Sequence, residues 1–321
     1  MNTIYTIFKK LNLGDVLKIK RVDSNQNIVY QIKTQNKNFI LKEYSKDAIK
    51  DNNDLAKRNK QLRISEKFNS NGIKTVLPLK FNGHYFILFE NKYYLIYEYM
   101  NYNVLEYYEV TLDNIITLAT TLAKMHELDI QSDLDCQYKI INIDFDNYLE
   151  LFKDIDSSLY ETLNNNIDKL KELINNCNIN INKVKEIMCI SHNDYKLKNI
   201  LWNDDEMYLI DFDACAISNP IVSLAESSFA LSKQGDNINL EYYRKYLETY
   251  FSIYNCNTSY KDALMVSMNG KLQWLEYLFS KCSNRDEKVI NDSIGMINEL
   301  VLFISNIDNF LKIYEEIKKI A

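Results

Sequence analysis

Residues 190–213 read ISHNDYKLKNILWNDDEMYLIDFD, and the predicted fold rests on this stretch. Two short apolar runs, at residues 200–202 and 207–210, stand on either side of the turn-forming residues 203–205 (NDD). Apolar runs separated by such a turn are typical of a β-hairpin. The stretch therefore predicts a tight hairpin with polar residues before and after it.

These polar residues have a definite spacing. His192, Asp194 and Asn199 precede the hairpin in an H-x-D-x-x-x-x-N pattern, and Asp211 follows it. Phosphoryl transfer from a nucleotide needs a carboxylate that accepts the proton of the attacking hydroxyl. It also needs an amide oxygen and a second carboxylate that hold magnesium against the triphosphate. We therefore interpret Asp194 as the catalytic base, and Asn199 and Asp211 as metal ligands.

This segment resembles the catalytic segment of the aminoglycoside phosphotransferase and choline kinase superfamily, whose members phosphorylate small molecules. The H-N-D form at residues 192–194 and the I-D-F-D form at residues 210–213 are closer to the choline and ethanolamine kinases. The resemblance implies an α+β, protein-kinase-like fold of two lobes, with an antiparallel sheet and one helix in the N-lobe and a mostly helical C-lobe. It also implies that His192 braces the catalytic loop.

The resemblance to kinases also suggests roles for Lys196 and Asp213. Lys196 occupies a position where Ser/Thr protein kinases carry a lysine, and a cation there neutralises the moving phosphoryl group. Asp213 either assists a second metal or braces the loop. An isolated Asp, Asn or His is more often a turn or cap residue than a catalyst, yet five matches in order favour the kinase interpretation.

Composition limits the classes of partner and compartment. The 321 residues suffice for two lobes with a sizeable core, and the net charge of −6 argues against a nucleic-acid surface. We expect no signal peptide, because the N-terminal residues MNTIYTIFKK lack a long apolar stretch with a cleavage site. We expect no membrane span, because no run of about 18 apolar residues occurs. The six cysteines are widely spaced without a C-x-x-C pair, which fits reduced thiols in a cytoplasmic protein.

The N-terminal part of the chain alternates in a way that predicts a sheet. Its first three antiparallel strands are predicted at residues 17–22, 28–33 and 39–44. The loop between the first two lacks glycine, unlike the glycine-rich loops of kinases. Because backbone amides and short polar side chains can cradle phosphate, Ser24, Asn25 and Asn27 are candidates for contact with the nucleotide.

Lys42 lies inside the third predicted strand. It could sit on the wet face of the strand, which is the commoner situation. In the kinase frame it contacts the α and β phosphates, and we favour this interpretation. A helix at residues 53–69 should then supply the carboxylate that pairs with Lys42. The family position falls near Gln61, so either Gln61 replaces the acid or Glu66 supplies it.

Further strands and a hinge complete the predicted N-lobe. The strands are predicted at residues 76–79, 85–89 and 93–100. By resemblance to the strand before the kinase hinge, backbone groups around Glu98, Tyr99 and Met100 hold the nucleotide base. The aromatic residues of this strand are otherwise ordinary core residues. We expect an N-lobe of five strands and one helix at residues 1–97, a hinge at 98–103 and the C-lobe at 104–321.

Apolar residues at helical spacing predict a helical C-lobe. Thr111 caps its first long helix, and His126 on the inner face is predicted to be packed and hydrogen bonded rather than a ligand. Residues 131–185 resemble the inserted helices that help to shape the acceptor pocket in small-molecule kinases. Three further helices are predicted at residues 240–254, 260–279 and 286–319.

Downstream of the catalytic segment the chain departs from the family pattern. The family carries D-P and then D-L-A, whereas this chain carries Asn219 before its proline and Ser223 before Leu-Ala. The resemblance implies that those acids brace the catalytic loop. Their absence is therefore expected to affect the stability of the loop more than its chemistry.

One segment of the C-lobe suits a cationic acceptor. Trp274 and Tyr277 lie one helical turn apart, with Glu276 beside them. In related kinases this part of the C-lobe borders the acceptor, and an aromatic pair with a carboxylate can hold a cationic amine. A core role for Trp274 is an equally good interpretation.

The predicted function is transfer of the γ-phosphoryl group of ATP or GTP, with Mg²⁺, to a hydroxyl group of a small molecule. Choline, ethanolamine, an aminoglycoside and a sugar-like compound all fit as acceptors, and the oligomeric state is left open. The alternative is a catalytically idle, structural relative like the spore-coat proteins of kinase fold. Lys42, Asp194, Asn199 and Asp211 argue against that alternative, whereas the glycine-free loop and Ser223 keep it open.

Overall fold

The computed structural model describes residues 2–22, 27–128 and 130–320. The chain divides into two compact units. The first contains the residues up to Val104 together with Lys198–Ala214, and the second contains Leu105–Leu197 together with the residues from Cys215 onward. Lys198–Ala214 therefore belongs to the first unit, although a division by position in the chain assigns it to the C-lobe.

Within the described residues, strands predominate early in the chain and helices later. The strands are β1 (Val16–Val22), β2 (Ile28–Thr34), β3 (Asn38–Glu43), β4 (Ile87–Phe89), β5 (Lys92–Glu98), β6 (Cys189–Ser191), β7 (Ile200–Asn203), β8 (Glu206–Leu209), β9 (Ala216–Ser218), β10 (Lys233–Gln234) and β11 (Asn237–Ile238). The helices are α1 (Asn2–Lys10), α2 (Asn52–Ser70), α3 (Leu112–Glu127), α4 (Phe145–Lys153), α5 (Ser157–Asn164), α6 (Ile167–Val184), α7 (Pro220–Leu231), α8 (Leu240–Phe251), α9 (Tyr260–Val266), α10 (Asn269–Lys281) and α11 (Glu287–Ile320). The predicted α+β class is confirmed.

The first unit is built on an antiparallel sheet of five strands in the order β1-β2-β3-β5-β4. Lys42 lies in the central strand β3, opposite Val29 of β2 and Leu95 of β5. The predicted strand at residues 76–79 does not form. Pro78 stands in the middle of that segment, and a proline cannot donate a hydrogen bond to a strand ladder.

Each face of this sheet has its own apolar cluster. Phe39 and Leu41 of β3 pack with Phe8 of α1 on one face. Because side chains alternate along a strand, Lys42 and Tyr44 point to the other face, where Tyr44 packs with Leu62 of α2. The sequence prediction of one helix is therefore wrong for this unit, since α1 adds a second whose Ile4, Ile7 and Phe8 are buried.

Helix α2 begins and ends where the sequence predicts. The carboxylate of Asp51 accepts hydrogen bonds from the backbone N–H groups of Asn53 and Asp54, which have no partner inside the helix. At the other end, Gly72 takes a φ of +85°, a left-handed conformation that glycine adopts without strain. The two caps thereby fix the ends of the helix, and Gln61 is buried on its inner face.

The hairpin of β7 and β8 belongs to the first unit because its edges pair with chain from that unit. Thr75 forms a bridge to Leu209 of β8, and Asn103 forms a bridge to Trp202 of β7. Asp204 in the turn has a φ of +51°, which Asp and Asn tolerate better than most residues. The predicted hairpin is confirmed, and its ends carry Asn199 and Asp211.

The second unit is mainly helical, with short two-stranded ladders. Thr111 and Asn114 form a reciprocal capping box at the start of α3, as the position of Thr111 predicts. On the inner face of that helix, Nδ1 of His126 lies 2.7 Å from the Tyr250 hydroxyl and Nε2 lies 3.1 Å from the Ser191 hydroxyl. The prediction that His126 is a packed, hydrogen-bonded residue is confirmed.

The predicted helix at residues 260–279 is in fact two helices, α9 and α10. The break falls at Ser267 and Met268, where the buried Ser267 hydroxyl donates to the carbonyl of Leu264, 2.7 Å away. A serine side chain that bonds the preceding turn competes with the helix ladder. The segment at residues 131–185 holds α4, α5 and α6, which agrees with the expected inserted helices.

Helix α11 bears on the expectation that the chain has no membrane span. Its residues Glu287–Lys319 are long enough and, on average, apolar enough to cross a bilayer, although polar residues interrupt the sequence. Only 22% of its apolar window is buried. A single helix of this kind is weak evidence for a span, because core helices of soluble proteins meet the same criterion.

Candidate active site

Lys42 forms the centre of a cluster of charged side chains in the first unit. Its Nζ lies 2.8 Å from Oδ1 of Asp211 and 2.7 Å from Oδ2 of Asp213. The lysine side chain is only 11% exposed, whereas that of Asp211 is 41% exposed. The ammonium is therefore buried against two carboxylates, and Lys42 does not sit on a wet face of its strand.

The carboxylate of Asp213 is surrounded by donors. The Tyr44 hydroxyl donates to Oδ1 over 2.8 Å, while Lys42 and the Asn27 amide, at 3.5 Å, both donate to Oδ2. Asn27 also accepts a hydrogen bond from the backbone N–H of Ser45. A carboxylate whose two oxygens already accept hydrogen bonds is poorly placed to ligate a metal. These bonds agree with the bracing role of Asp213, and a role with a second metal stays a prediction.

The protonation of Lys42 follows from this arrangement. Burial by itself lowers the pKa of Lys42, because a charged ammonium loses its hydration. The negative charges of Asp213 and Asp211 outweigh that effect and raise the pKa of Lys42 well above its ordinary value. Lys42 is therefore a permanent cation, as a group that binds phosphate oxygens has to be.

Helix α2 does not supply a carboxylate to Lys42. Gln61 Nε2 donates to the backbone carbonyl of Asp213 over 2.8 Å, and the Arg58 guanidinium donates to the same carbonyl. Glu66 instead forms an ion pair with Lys80. The prediction that Glu66 binds in the nucleotide site through Lys42 is thus not met, because Glu66 lies on a different face of α2 from Gln61. Gln61 occupies the position and holds the Asp213 backbone.

Asn199 and Asp211 lie at the same end of the β7–β8 hairpin. Ile200 pairs with Leu209, and one residue further out the N–H of Ile210 donates to the carbonyl of Asn199 over 3.0 Å. Asp211 has a φ of +61°, a left-handed conformation that turns the chain directly after β8. An amide oxygen and an accessible carboxylate are oxygen ligands of the kind that Mg²⁺ prefers, so this pair fits the metal.

The segment with the proposed base lies in the second unit and is held by its neighbours. His192 is fully buried, and its Nδ1 accepts a hydrogen bond of 3.3 Å from the backbone N–H of Asp194. Asn193 has a φ of +57°, where the family's H-G-D form has glycine. Its amide donates to the carbonyls of Ser191 and Ala216. The H-N-D form is therefore explained by backbone conformation, and the prediction that His192 braces the loop is confirmed.

The carboxylate of Asp194 forms an ion pair with Lys196. Their side chains are 23% and 34% exposed, so solvent and small molecules can reach both. The two residues are separated by one position on a tightly held loop, which places a cation beside the proposed base. This geometry is compatible with charge neutralisation by Lys196, which stays a prediction.

The residues predicted to hold the nucleotide base and phosphates are only partly described. Glu98 ends β5 and forms an exposed ion pair of 2.6 Å with Lys37. The N–H of Tyr99 donates to the carbonyl of Asn38 over 3.0 Å, and Met100 follows in the next position. Ser24 and Asn25 lie outside the described residues. The side chain of Asn27 binds Asp213 and Ser45, which gives it a structural contact beside the Lys42 cluster.

Asn219 occupies the position of the first family acid and forms hydrogen bonds of its own there. Its Oδ1 accepts from the N–H groups of Ile221 and Val222 and so caps α7. Its Nδ2 donates to the carbonyls of Val184 and Ile187, each at 2.9 Å. A carboxylate could accept the first pair of bonds but could not donate the second pair. The amide therefore fits this position better than the acid would.

Ser223, at the position of the second family acid, also has hydrogen-bond partners. Ser223 is buried, its hydroxyl lies 3.0 Å from that of Ser218, and its carbonyl accepts from Ser227. The polar groups of Ser223 are therefore hydrogen bonded without an acid at this position.

The aromatic pair of α10 is present at the surface of the second unit. The rings of Trp274 and Tyr277 stack at 4.9 Å, and Tyr277 is 43% exposed. The ammonium of Lys281 already lies 5.3 Å from the Tyr277 ring centre. Glu276 interacts electrostatically with Tyr148 of α4. The cation site predicted on these three residues is therefore partly occupied by Lys281, and its role with substrate stays a prediction.

Sequence reasoning missed Tyr44 and Arg58, which contact Asp213, and it missed Glu226 of the buried helix α7. Tyr44 and Arg58 have no motif of their own, and their positions depend on packing. A signal existed only for Glu226, which is the single charged residue in the apolar run SLAESSFAL. A single charged residue inside a buried helix indicates a specific role, because charged residues are almost never fully buried unless they are paired.

Among the solved structures of similar fold are phosphotransferases and kinases for small molecules. Spectinomycin phosphotransferase APH(9)-Ia, in complex with ADP and spectinomycin, matches with a TM-score of 0.70 at 14% identity, over 96% of this chain and 98% of that chain. Choline kinase LicA from Streptococcus pneumoniae matches at 0.57 and 16%, over 94% and 99%. Plasmodium vivax ethanolamine kinase matches at 0.59 and 13%, over 89% and 81%. At these identities the likeness defines a kinase-like fold.

The sequence also matches a protein family, which is more specific than a shared fold. A family model described as the phosphotransferase enzyme family matches residues 18–254, which is most of the chain. The chain belongs to this family, and it is a small-molecule kinase whose acceptor is a hydroxyl group. No curated protein matches the sequence significantly. The resemblance drawn from residues 190–213 is confirmed.

Proposed function

We propose that this enzyme transfers the γ-phosphoryl group of ATP, with magnesium, to the hydroxyl group of a small molecule that also carries an amine. The observation that carries the proposal is the buried Lys42 ammonium held between Asp211 and Asp213. This arrangement supplies a fixed cation for the phosphates and an accessible carboxylate for a metal. Clusters of buried, mutually perturbed charges occur most often at functional sites, which favours an enzyme over the structural alternative.

The proposed reaction conserves atoms and charge in one displacement. The acceptor hydroxyl oxygen forms a bond to the γ-phosphorus while the bond from that phosphorus to the bridging oxygen of the β-phosphate breaks, and ADP leaves. Asp194 accepts the hydroxyl proton. Lys196, already paired with Asp194, offsets the negative charge on the transferring group.

Lys42 and the residues at the ends of the β7–β8 hairpin bind different parts of the nucleotide complex. Lys42 binds oxygens of the α and β phosphates, and it is oriented by Asp213. Asn199 and Asp211 would hold magnesium, which neutralises phosphate charge when it is bound. The similar spectinomycin phosphotransferase forms a complex with ADP, which supports an adenine nucleotide as the donor.

An amine-bearing alcohol is the acceptor class that the comparisons favour. The three similar enzymes are named for spectinomycin, choline and ethanolamine. All three compounds have both a hydroxyl group and a nitrogen that carries positive charge near neutral pH. The net charge of −6 agrees with a cationic substrate, although a net charge says little about one pocket.

The experiment measures ADP release with Mg²⁺ and ATP against a panel of amino alcohols, aminoglycosides and sugars, and repeats it with GTP. An acceptor that stimulates turnover should do so at least roughly 100-fold less with Asp194→Asn, since a general base contributes about 10²–10⁴ in rate. Asp204→Asn, in the turn of the hairpin, is the matched control and should leave turnover unchanged. Equal turnover by wild type and Asp194→Asn would contradict the proposal.

A further inference from the structure

Helix α2 binds the backbone of Asp213 through two hydrogen-bond donors. Arg58 and Gln61 are three residues apart, so their side chains are neighbours on the helix surface. Gln61 Nε2 donates to the carbonyl of Asp213 over 2.8 Å, and Nη1 of Arg58 donates to the same oxygen. A carbonyl oxygen has two lone pairs and can accept both bonds. Arg58 and Gln61 thus form a donor pair for one backbone atom.

Arg58 also fixes the orientation of the Gln61 amide. Its Nη1 donates to Oε1 of Gln61 over 3.1 Å. A guanidinium has donors only, so the amide turns its oxygen toward Arg58 and its NH₂ group toward Asp213. A glutamate at position 61 could accept from Arg58 in the same way, but its second oxygen would face the carbonyl oxygen of Asp213 with no proton to donate. Glutamine therefore fits this position beside Arg58 better than the helix acid of kinases would.

A second contact from α2 holds the residue before Asp213. Phe68 lies about two turns beyond Gln61, on the same face of the helix, and it is fully buried. Its ring centre lies 6.0 Å from that of Phe212. Helix α2 therefore fixes two consecutive residues of the I-D-F-D sequence, one through its ring and the other through its carbonyl group.

The segment that α2 holds carries both carboxylates that contact Lys42. Oδ2 of Asp213 lies 2.7 Å from Nζ of Lys42, and Oδ1 of Asp211, two residues earlier, lies 2.8 Å from it. Lys42 reaches these oxygens from strand β3. A shift of the segment would therefore displace the acids that orient the proposed phosphate-binding cation. It would also displace Asp211, the proposed metal ligand.

The balance of charge also favours a neutral residue at position 61. Lys42 and Arg58 carry two positive charges, and the acids at 211 and 213 carry two negative ones. Gln61 is only 2% exposed, so a glutamate there would add a poorly solvated negative charge to this group. A nucleotide is itself an anion, and the added charge would oppose its binding.

We propose that Arg58 and Gln61 are positioning residues for the nucleotide. By holding the Asp213 backbone, the donor pair keeps Lys42 in place for the phosphates and Asp211 in place for Mg²⁺, and a glutamate at position 61 weakens the site. This inference rests on the proposed function, which assigns those two ligands their roles. A core-packing role would differ, because glutamate has the shape of glutamine and would serve equally well.

The test is calorimetric titration of the full chain with ADP, once with Mg²⁺ and once with EDTA. Gln61→Met removes the donor without adding a charge, and Gln61→Glu replaces the donor by a negative oxygen. With Mg²⁺ present, we expect the Kd of ADP to rise at least roughly 5-fold in Gln61→Met and more in Gln61→Glu, since a buried carbonyl loses a donor. Arg58→Met should also raise the Kd, because it removes one bond and frees the amide of Gln61.

The ratio of the Kd in EDTA to the Kd in Mg²⁺ separates positioning from packing. This ratio should fall in all three variants, because Asp211 belongs to the segment that the donor pair holds. Arg63→Met is the matched control, since Arg63 is an exposed arginine of the same helix, and it should bind ADP as the wild type does. Urea denaturation identifies the folded variants. If Gln61→Glu does not fold, Gln61→Met and Arg58→Met decide the test.

The outcomes separate this inference from the proposed function. Equal or tighter binding of ADP by Gln61→Glu overturns the inference, because an acid would then serve at this position. An unchanged Kd ratio in the folded variants overturns it as well, because the donor pair would then be structural only. The proposed function survives both results if the wild type phosphorylates an acceptor and Asp194→Asn does not. If the wild type binds no nucleotide, the proposed function and the inference both fail.

Discussion

The Nζ atom of Lys42 lies 2.7 Å from Oδ2 of Asp213, and this pair replaces the usual contact between the strand lysine of a kinase and a helix glutamate. Gln61, at the helix position, binds the backbone carbonyl of Asp213 instead. Helix α2 therefore acts on Lys42 indirectly, by holding the segment that carries its carboxylate. The second acid of the I-D-F-D sequence thus positions the lysine.

Asp213→Asn tests this relationship. The variant keeps the size of the side chain but loses the charge that offsets Lys42, so the lysine moves from its place beside the phosphates. We expect kcat/KM for the nucleotide to fall about 10–100-fold, which corresponds to about 1.4–2.7 kcal/mol. Steady-state kinetics with varied ATP measure it.

The control for Asp213→Asn is Glu66→Gln, which removes the other glutamate considered for Lys42. Glu66 pairs with Lys80 near the surface, and such a pair contributes at most about 1 kcal/mol. Nucleotide kinetics should be unchanged in this variant. A loss of kcat/KM in Glu66→Gln equal to that in Asp213→Asn would show that α2 supplies the carboxylate after all.

Asn219→Asp restores the residue that the family carries, and we expect it to destabilise this protein. The carboxylate keeps the cap of α7, but it faces the buried carbonyls of Val184 and Ile187, to which the amide donates. The loss of two buried donors should lower the free energy of unfolding by about 2–4 kcal/mol at pH 7. Urea denaturation measures it.

Asn239→Asp is the matched control for that substitution. Asn239 caps α8 by accepting from Glu241 and Tyr242, and those bonds need only an oxygen acceptor. A carboxylate at a helix N-terminus also interacts favourably with the helix dipole. Asn239→Asp should therefore be neutral or slightly stabilising. A similar loss in both variants would mean that the donor bonds of Asn219 contribute little.

Glu226→Gln should stabilise the enzyme at high pH only. The folded-state pKa of about 7 lies above the ordinary value of 4.5, so the native state holds more protons than the unfolded state between these values. Stability of the wild type therefore falls as the pH rises from about 4.5 to 7. Removing the group should raise the free energy of unfolding by about 1–3 kcal/mol at pH 8.

Chemical denaturation of Glu226→Gln and wild type across pH 4.5–8 checks this expectation. The two curves should converge at the acid end, where the wild-type carboxyl is protonated and resembles the amide. Glu276→Gln should track the wild type within about 0.5 kcal/mol throughout, as a substitution away from buried charge does. A constant offset between Glu226→Gln and wild type would mean that packing, not ionisation, causes the difference.

His126 should make the fold sensitive to acid. Burial lowers the pKa of His126 to about 3, far below its ordinary value of 6.5. The unfolded state then binds the proton first, so stability is full above about pH 6.5 and is lost as the pH falls. Between pH 6.5 and 4.5 the loss should be up to about 2.7 kcal/mol.

His126→Gln removes that dependence, since glutamine does not titrate. The variant should be less stable than wild type at pH 7, because the bonds to Tyr250 and Ser191 are disturbed, but its stability should lack the histidine contribution below pH 6.5. His84→Gln, at an exposed position, should keep the wild-type dependence. An unchanged pH profile in His126→Gln would assign the acid sensitivity to other groups.

Much of the fold was predictable because its signals are local. The β7–β8 hairpin, the Thr111 cap and the strand that carries Lys42 follow from turn, capping and alternation rules that act over a few residues. The errors were local as well. Pro78 blocks the expected strand at residues 76–79, and Ser267 ends a helix that periodicity alone would continue.

The proposed chemistry can be predicted from the chain alone, because Asp194, Asn199 and Asp211 lie within one short stretch whose spacing indicates their roles. Their surroundings depend on the tertiary structure. Lys42 and Asp213 are 171 residues apart in the chain, and their contact exists only because distant parts of the first unit pack together. Contacts between distant residues depend on how faces pack, and no local pattern of residues encodes that packing.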